Sequence, residues 1–410
     1  MNSPLPASPN IPRAVTKTKS ENEIQLASIY FTLVGIGYLF PFSALTQPVD
    51  YWHFLFPNFN IEFPLTTIYM YTNLIVLALL VFGNSSTSSR FTPRIVGGFI
   101  GQFMVLVFVP TSYFFITSEK WNVIAILSAT AMAASVTAFL DSSVIALASQ
   151  YPLRVQESFQ LGVGISTLIG SVYRDITKGV FPEDAIVSSS LLYFYSGAAT
   201  IAVCIGAYFR LMKLDLTRKC VEKNEHLAEI SENSALLGYK DMPSKWSVLR
   251  KIWYNELMVT LVFASTLSLW PPLVTTIPSY NFPHLQSTGW WSLVLLTLFS
   301  VSDVIGRLLV KFRMGITPAT IWRPIVARFL LFPLIFCSVT GFIFVHDAWS
   351  ILFVSILGFT NGYIGTLSII LINDVITVQE QPIAGMFTSF FLNSGLVLGA
   401  TIGLIFDNLK

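Results

Sequence analysis

Long apolar stretches, separated by short polar breaks, recur along this chain from about residue 25 to its C-terminal end. Each stretch is close to the roughly 20 residues that an α-helix needs to cross the hydrocarbon core of a bilayer. The pattern predicts eleven membrane-spanning helices, at 25–47, 64–83, 94–116, 122–149, 158–178, 187–210, 255–278, 289–311, 324–345, 349–372 and 382–406. We therefore expect an all-α integral membrane protein.

A long hydrophilic segment, 212–254, divides the predicted helices into six and five. Acidic and basic residues alternate in it, which favours a flexible cytoplasmic linker over a nucleic-acid-binding patch. The Pro- and Ser-rich lead, 1–24, lacks the apolar core and cleavage site of a signal peptide, so it is predicted to be a disordered cytoplasmic tail. We expect a six-helix bundle over 25–211 and a five-helix bundle over 255–410, able to rock around a site between them.

Composition agrees with a membrane protein, because 53% of the residues are hydrophobic and only 11% are charged, against roughly 25% charged in soluble domains. Basic residues collect in alternate breaks. The second break holds Arg90 and Arg94, whereas the first, around Asp50 and His53, holds neither lysine nor arginine. Since cytoplasmic loops collect positive charge, we expect a cytoplasmic N-terminus and, after eleven spans, an extracellular Lys410.

Two opposite charges lie within the eighth predicted helix, in the stretch FSVSDVIGRLLV. A charge near the centre of a spanning helix costs about 2.5–3.5 kcal/mol, so it requires a partner or water. Asp303 and Arg307 are four residues apart and share one helix face, so a purely structural ion pair is one interpretation. The other is ligand binding, because five guanidinium donors and several carboxylate acceptor sites exceed what one pair consumes. That surplus suits a polyhydroxylated solute.

Asp141 is the other deep charge, in TAFLDSSVIAL, and has no basic residue within one helical turn. Such a carboxylate either finds a cation across the bundle or takes up a proton. Three roles follow for Asp141: solute binding, proton coupling, or a salt bridge to Arg307 or Arg328.

Motifs of enzyme sites are not found in the sequence. The four histidines have no metal-ligand spacing, the three cysteines are isolated, and no Gly-rich phosphate loop with its lysine occurs. The sequence therefore predicts no catalytic residue, metal ion or cofactor.

Four motifs in the C-terminal half carry a family resemblance: TLSLWPPLVTTI, FSVSDVIGR, FTNGYIGTLSI and AGMFTSFFLNSGLVLGATIGLIF. Their order and spacing resemble the equilibrative nucleoside transporter family. The resemblance implies eleven spans in a 6+5 arrangement and a fold similar to the major facilitator superfamily. It also implies that Asp303 and Arg307 bind the ribose hydroxyls of a nucleoside.

The N-terminal half departs from that family. Phe42 and Ser43 follow Pro41 where the family has Pro-Trp-Asn, and Asp141 aligns where a base-facing glutamine is usual. Ser300 stands where asparagine is frequent, and Gln160 begins an approximate Gln-Gly-x-x-Gly pattern. The candidate substrate-binding residues are Asp303, Arg307, Asp141, Phe42, Ser43, Gln160 and Ser300.

The leading functional hypothesis is a facilitative carrier of nucleosides, nucleobases or both that works by alternating access, without covalent chemistry. Phe42 would stack on the base. One alternative is a carrier of organic cations such as monoamines, or a proton-coupled nucleoside carrier, in which Asp141 is the counter-ion or proton site. Another is a non-transporting membrane scaffold whose buried charges are structural. We expect a monomer in the plasma membrane whose partners are the solute and the lipid bilayer.

Overall fold

The computed structural model describes residues 13–59, 61–83, 91–182, 185–222 and 244–407. All regular elements within these ranges are helical, which confirms the predicted all-α class. The helices are α1 (Arg13–Thr46), α2 (Val49–Leu55), α3 (Glu62–Phe82), α4 (Phe91–Phe115), α5 (Glu119–Ala148), α6 (Leu153–Val180), α7 (Ile186–Leu211), α8 (215–222), α9 (Lys245–Leu269), α10 (Pro283–Ser287), α11 (Trp290–Leu308), α12 (Trp322–Arg328), α13 (Leu331–Thr340), α14 (Asp347–Thr360), α15 (Thr366–Ile370) and α16 (Gln381–Asp407).

Ten helices among the described residues are long and apolar enough to cross a membrane. The expected span at 158–178 corresponds to α6, which is 28 residues long but is not one of the ten. It carries five charged side chains, Arg154, Glu157, Arg174, Asp175 and Lys178, and these lower its hydropathy. The exact count of eleven, and with it the 6+5 arrangement, stays a prediction.

Two expected boundaries differ from the structure. The lead 1–24 was expected to be disordered, but α1 already begins at Arg13, since the Ala, Lys and Glu residues before the apolar stretch favour continuation of the helix. The linker 212–254 was expected to run to residue 254, but α9 begins at Lys245. Trp246 and Trp253 are more than half exposed on this first part of α9, where indole rings suit the membrane interface.

Prolines and turns break the helices that line the centre of the molecule. Helix α9 ends at Leu269, just before Trp270 and Pro271, because a proline cannot continue the backbone hydrogen-bond ladder and restricts the residue before it. Between α14 and α15 the chain forms a π-helical turn at Asn361–Gly365. Such turns change the direction of side chains and are frequent at functional sites.

Glycines allow close contact around this central region. A side chain at Gly162 of α6 would overlap the carbonyl group of Thr32 on α1. A side chain at Gly362 would overlap the carbonyl group of Asp303 on α11. Small residues at such crossings let spanning helices pack backbone to backbone, so α1, α6, α11 and the π-helical turn are held close together.

The two halves of the molecule, α1–α7 and α9–α16, share a small apolar cluster of Met70, Leu267 and Val397 and, at one end of the molecule, an extensive apolar core. We call this the inner end; α9 begins there, and the charge distribution predicts it to be cytoplasmic. Leu147 and Val155 of the first half pack there with Ile252 and Phe387 of the second. Towards the outer end, where α1 stops, the second half has a separate core around Trp291, and a cavity lies between the halves.

Candidate functional site

A central cavity lies between the two halves. Its wall is formed by α1, α3, α5 and α6 on one side and by α9, α11, α16 and the π-helical turn on the other. Six of the seven residues predicted from sequence line it: Phe42, Ser43, Asp141, Gln160, Asp303 and Arg307. The seventh, Ser300, does not. Its hydroxyl lies 3.3 Å from that of Ser171 and donates to the carbonyl of Leu296, at the contact between α6 and α11.

Asp303 and Arg307 form the ion pair that their spacing on α11 predicts. Arg307 Nε donates to Asp303 Oδ2 at 2.7 Å, and the two side chains are only 3% and 5% exposed. Arg307 Nη1 donates across the cavity to the carbonyl oxygen of Gln160, at 2.8 Å, and to its Oε1, at 3.2 Å. Nη2 of Arg307 has no acceptor among the described residues. The guanidinium group therefore joins the two halves and keeps one amino group unused.

Asp303 is held in place by a chain of hydrogen bonds, which we call the relay, that runs through Asn361 and Thr266 to Arg328. Asn361 Nδ2 donates to Asp303 Oδ1 at 2.7 Å, and Asn361 Oδ1 accepts from the hydroxyl of Thr266 at 2.8 Å. The Thr266 hydroxyl in turn accepts from Arg328 Nη2 at 2.7 Å. Asn361, Thr266 and Arg328 were not predicted as site residues, although Asn361 stands in one of the quoted motifs. The relay fixes the carboxylate in one orientation before any ligand arrives.

Asp141 is bound by neutral donors from both halves. The hydroxyl of Tyr38 donates to its Oδ1 at 2.6 Å, and Asn393 Nδ2 donates to its Oδ2 at 2.6 Å. It makes no salt bridge to Arg307 or Arg328, so that alternative is wrong for this structure. Asp141 instead connects α1, α5 and α16 at the cavity wall.

The cavity opens towards the outer end. Phe42 and Trp270 line both the cavity and an outer vestibule. The ring of Phe42 lies 5.1 Å from that of Tyr69. At the inner end the halves touch: Asn373 Nδ2 donates to Gln156 Oε1 at 2.7 Å. The halves are therefore in contact at the inner end, and the cavity adjoins a vestibule at the outer end.

The described residues contain no group of three His, Cys, Asp or Glu side chains that could hold a metal ion. The polar groups of the cavity wall are hydrogen-bond donors and acceptors, and they suit recognition of a polar organic solute by hydrogen bonds.

Comparison with known proteins agrees with this architecture. A family model described as "Nucleoside transporter" matches residues 127–408. The chain is 27% identical to equilibrative nucleotide transporter 1 of Arabidopsis thaliana over 91% of its own length and 84% of that protein. It is 26% identical to equilibrative nucleoside transporter 2 of Rattus norvegicus, over 67% of this chain and 70% of the rat protein.

A similar solved structure is that of the major facilitator superfamily proton:xylose symporter XylE, with a TM-score of 0.64. The two chains share 12% identity over 95% of this chain and 89% of XylE, which is a likeness of fold. The predicted major facilitator fold is confirmed, and the relatives are transporters rather than enzymes. The family model matches well over half of the sequence, so this chain belongs to the nucleoside transporter family.

Proposed function

We propose that this protein is a facilitative carrier of nucleosides that works by alternating access, with Asp303 and Arg307 binding the sugar hydroxyls. The observation that carries the proposal is the buried Asp303–Arg307 pair in the wall of a cavity open at one end. Arg307 Nη2 is an unused donor, and each Asp303 oxygen accepts a single hydrogen bond from the protein. Vicinal hydroxyl groups, which both donate and accept, complement such a pair.

The charge of the cavity disfavours an anionic solute. Asp141, Asp303 and Arg307 are the charged side chains in its wall, so the formal charge of the wall is −1. A phosphate group adds about −1.5 to −2 at neutral pH and would meet no unpaired cation there. The remaining wall is largely apolar and aromatic, with Phe42 placed to stack on a base. Nucleosides fit this chemistry better than nucleotides, and nucleobases would leave the Asp303–Arg307 pair without a ligand.

Alternating access is supported by how the halves meet. The inner closure combines the shared apolar core with polar contacts such as the Asn373–Gln156 hydrogen bond, and the outer vestibule adjoins the cavity whose wall contains the ion pair. Breaking the inner contacts while closing the outer ones would expose the same site to the opposite side. The proposal also includes a cytoplasmic N-terminus and the plasma membrane as the location, on the charge distribution and the family.

The test is uptake by proteoliposomes of radiolabelled adenosine, uridine, adenine and AMP. We expect saturable nucleoside flux that stops when the inner and outer concentrations are equal, without AMP uptake. Asp303→Asn should lower nucleoside flux at least about 100-fold, because it leaves Arg307 buried without its counter-ion. Glu222→Gln, at an exposed ion pair on α8, is the matched control. Correctly inserted protein that moves no nucleoside would overturn the proposal and favour a scaffold.

A second candidate, a carrier of organic cations, is favoured by one observation. Tyr38 and Asn393, which donate to Asp141, are neutral, and the carboxylate has no salt-bridge partner among the described residues. A bound amine could supply the missing positive charge. Tyramine uptake that is abolished by Asp141→Asn, in protein that does not carry adenosine, would select this function.

A further inference from the structure

We infer that the cavity wall formed by α1, α3 and α5 selects nucleosides whose base presents an amino group, such as adenosine and cytidine. The inference rests on the proposed function and goes beyond it, since it concerns the base and not the sugar. It depends on an excess of hydrogen-bond acceptors on this wall, which we call the acceptor wall and define by Asn73 and Asp141.

Asn73 provides an acceptor with no partner in the protein. This side chain on α3 is 2% exposed and lines the cavity. Its Nδ2 lies 3.4 Å from the carbonyl oxygen of Ala134. Because a carbonyl group can only accept, this contact fixes the amide with its NH₂ group towards Ala134. Oδ1 is then left without a donor among the described residues.

A buried oxygen without a donor is unfavourable by about 1–3 kcal/mol. Native proteins keep few such groups, and each one requires an explanation. In the wall of a binding cavity, a donor on the bound solute supplies that explanation.

Asp141 adds a second, charged acceptor to the same wall. An ionised carboxylate cannot donate and has about four acceptor positions. The protein fills two of them, with the hydroxyl of Tyr38 and with Asn393 Nδ2. The other positions are available to a donor on the solute.

Three donors in the cavity wall, on Tyr69, Thr137 and Asn393, are already used. The hydroxyl of Tyr69 donates to Thr137 Oγ1 at 3.1 Å, and the hydroxyl of Thr137 donates to the carbonyl of Ala133 at 2.7 Å. Asn393 Nδ2 donates to Asp141 and also to the carbonyl of Ser389, at 2.9 Å. A base that presents a carbonyl oxygen to Asn73 or Asp141 would therefore meet acceptors and find the donors of Tyr69, Thr137 and Asn393 already used.

Because this wall offers more acceptors than free donors, it should prefer bases that carry an amino group. Adenine and cytosine carry an exocyclic NH₂ donor, whereas the corresponding position of a uracil-type base is a carbonyl acceptor. A site built to accept a hydrogen bond rejects the analogue that lacks the donor, since its own polar groups then stay unpaired. We expect the amino-bearing member of each matched pair to be preferred by about 10-fold or more.

Two nucleoside pairs test the inference in the full-length protein, reconstituted in proteoliposomes. Adenosine and inosine share one sugar and differ at the exocyclic group, amino against carbonyl, and at the neighbouring ring nitrogen, which changes from an acceptor to an N–H donor. Cytidine and uridine differ in the same way. The initial uptake rate over a concentration series gives kcat/KM for each solute. The expected result is an adenosine-to-inosine ratio and a cytidine-to-uridine ratio of about 10 or higher. Ratios near one, or ratios below one, would overturn the inference.

Substitutions then locate the preference. Asn73→Leu, which removes the acceptor at similar volume, should bring both ratios towards one. Asp141→Asn should also lower them, because it replaces an acceptor by a donor. The matched control is Asn255→Leu: Asn255 is equally buried, its Nδ2 also donates to a carbonyl, that of Pro318, and it lies outside the cavity lining. In that variant the ratios should not change.

The outcomes separate this inference from the proposed function. If none of the four nucleosides is transported by correctly inserted protein, the proposed function fails and the inference fails with it. If all four are transported at equal kcat/KM, the carrier function stands and only the amino-group selectivity is refuted. If Asn73→Leu does not fold, the wild-type ratios together with Asp141→Asn still decide the question.

Discussion

Asn361 and Asp303 are joined by a hydrogen bond of 2.7 Å between Nδ2 and Oδ1, although they lie 58 positions apart. Asp303 uses its other oxygen for Arg307, so each carboxylate oxygen is held by one protein donor. Behind Asn361 the relay continues through Thr266 to the buried guanidinium group of Arg328. The site is therefore positioned by the π-helical turn, and not by α11 alone.

Replacing Asn361 by leucine should weaken solute binding more than it slows turnover. Without the amide donor, the Asp303 carboxylate loses a charge-assisted hydrogen bond of about 1.5–3 kcal/mol and can rotate away from the cavity. We expect a rise of about 10-fold or more in the KM for adenosine, with a smaller change in kcat. The concentration dependence of uptake in proteoliposomes measures both.

Thr266→Val supplies a graded comparison, since it keeps the Asn361–Asp303 hydrogen bond and removes the two relay bonds of the Thr266 hydroxyl, to Asn361 and from Arg328. Its KM should lie between those of the wild type and Asn361→Leu. An unchanged KM in Asn361→Leu would show that Asp303 is held without the relay.

Gly164 of α6, in the first half of the molecule, packs directly against the Asp303–Arg307 ion pair. A Cβ atom at this position would lie 2.5 Å from Arg307 Cδ and 2.8 Å from Asp303 Oδ2. The guanidinium group is anchored by its hydrogen bonds, so the side chain cannot move aside without losing them. We expect Gly164→Ala to lower nucleoside flux at least about 10-fold, on the scale of one lost charge-assisted bond.

Gly97→Ala is the matched control on α4, because nothing lies within 4 Å of the added Cβ atom there. Alanine favours a helix over glycine by about 0.5–1 kcal/mol, so this variant should transport normally and unfold at the same or a higher temperature. Equal flux in the two variants would contradict the close packing of α6 against the ion pair.

The sequence was sufficient to predict the helical membrane class and the ion pair. Both follow from local information: apolar length, and the spacing of Asp303 and Arg307 on one helix. The partners of these charges could not be predicted in the same way. Whether Asp141 meets Arg328, Arg307 or neutral donors depends on which helices cross at that depth, and hydrophobic periodicity does not determine this.

Glu256 illustrates a second limit of the sequence. It falls at the boundary of the predicted span 255–278, where a charge requires no explanation. In the structure α9 extends back to Lys245, and Glu256 is fully buried against α16. The hydroxyl of Thr388 donates to its Oε1 at 2.7 Å, and its Oε2 has no partner among the described residues. Because the predicted helix began ten residues too late, Glu256 was not recognised as a buried carboxyl group.

The last prediction concerns the hydrogen bond between Asn373 and Gln156, which joins the two halves at the inner end. Asn373 lies just beyond α15 in the second half of the molecule, and its hydrogen bond to Gln156 crosses to the first half. Removing it with Asn373→Ala costs the closed state about 1 kcal/mol and affects the opposite state little, because the halves are separated there. The inward-open population should therefore rise about 5-fold.

Thiol labelling can measure this shift. Ala148 lines a small cavity at the inner end and is 3% exposed, so Ala148→Cys, with Cys220 and Cys337 replaced by serine, reports opening at that end. Asn373→Ala should raise its labelling rate about 5-fold. Asn281→Ala, which removes an amide that binds the backbone N–H of Asp347 near the outer end, should leave the rate unchanged. Equal labelling in all three backgrounds would mean that the Asn373–Gln156 bond does not hold the inner end closed, and that the shared apolar core does so alone.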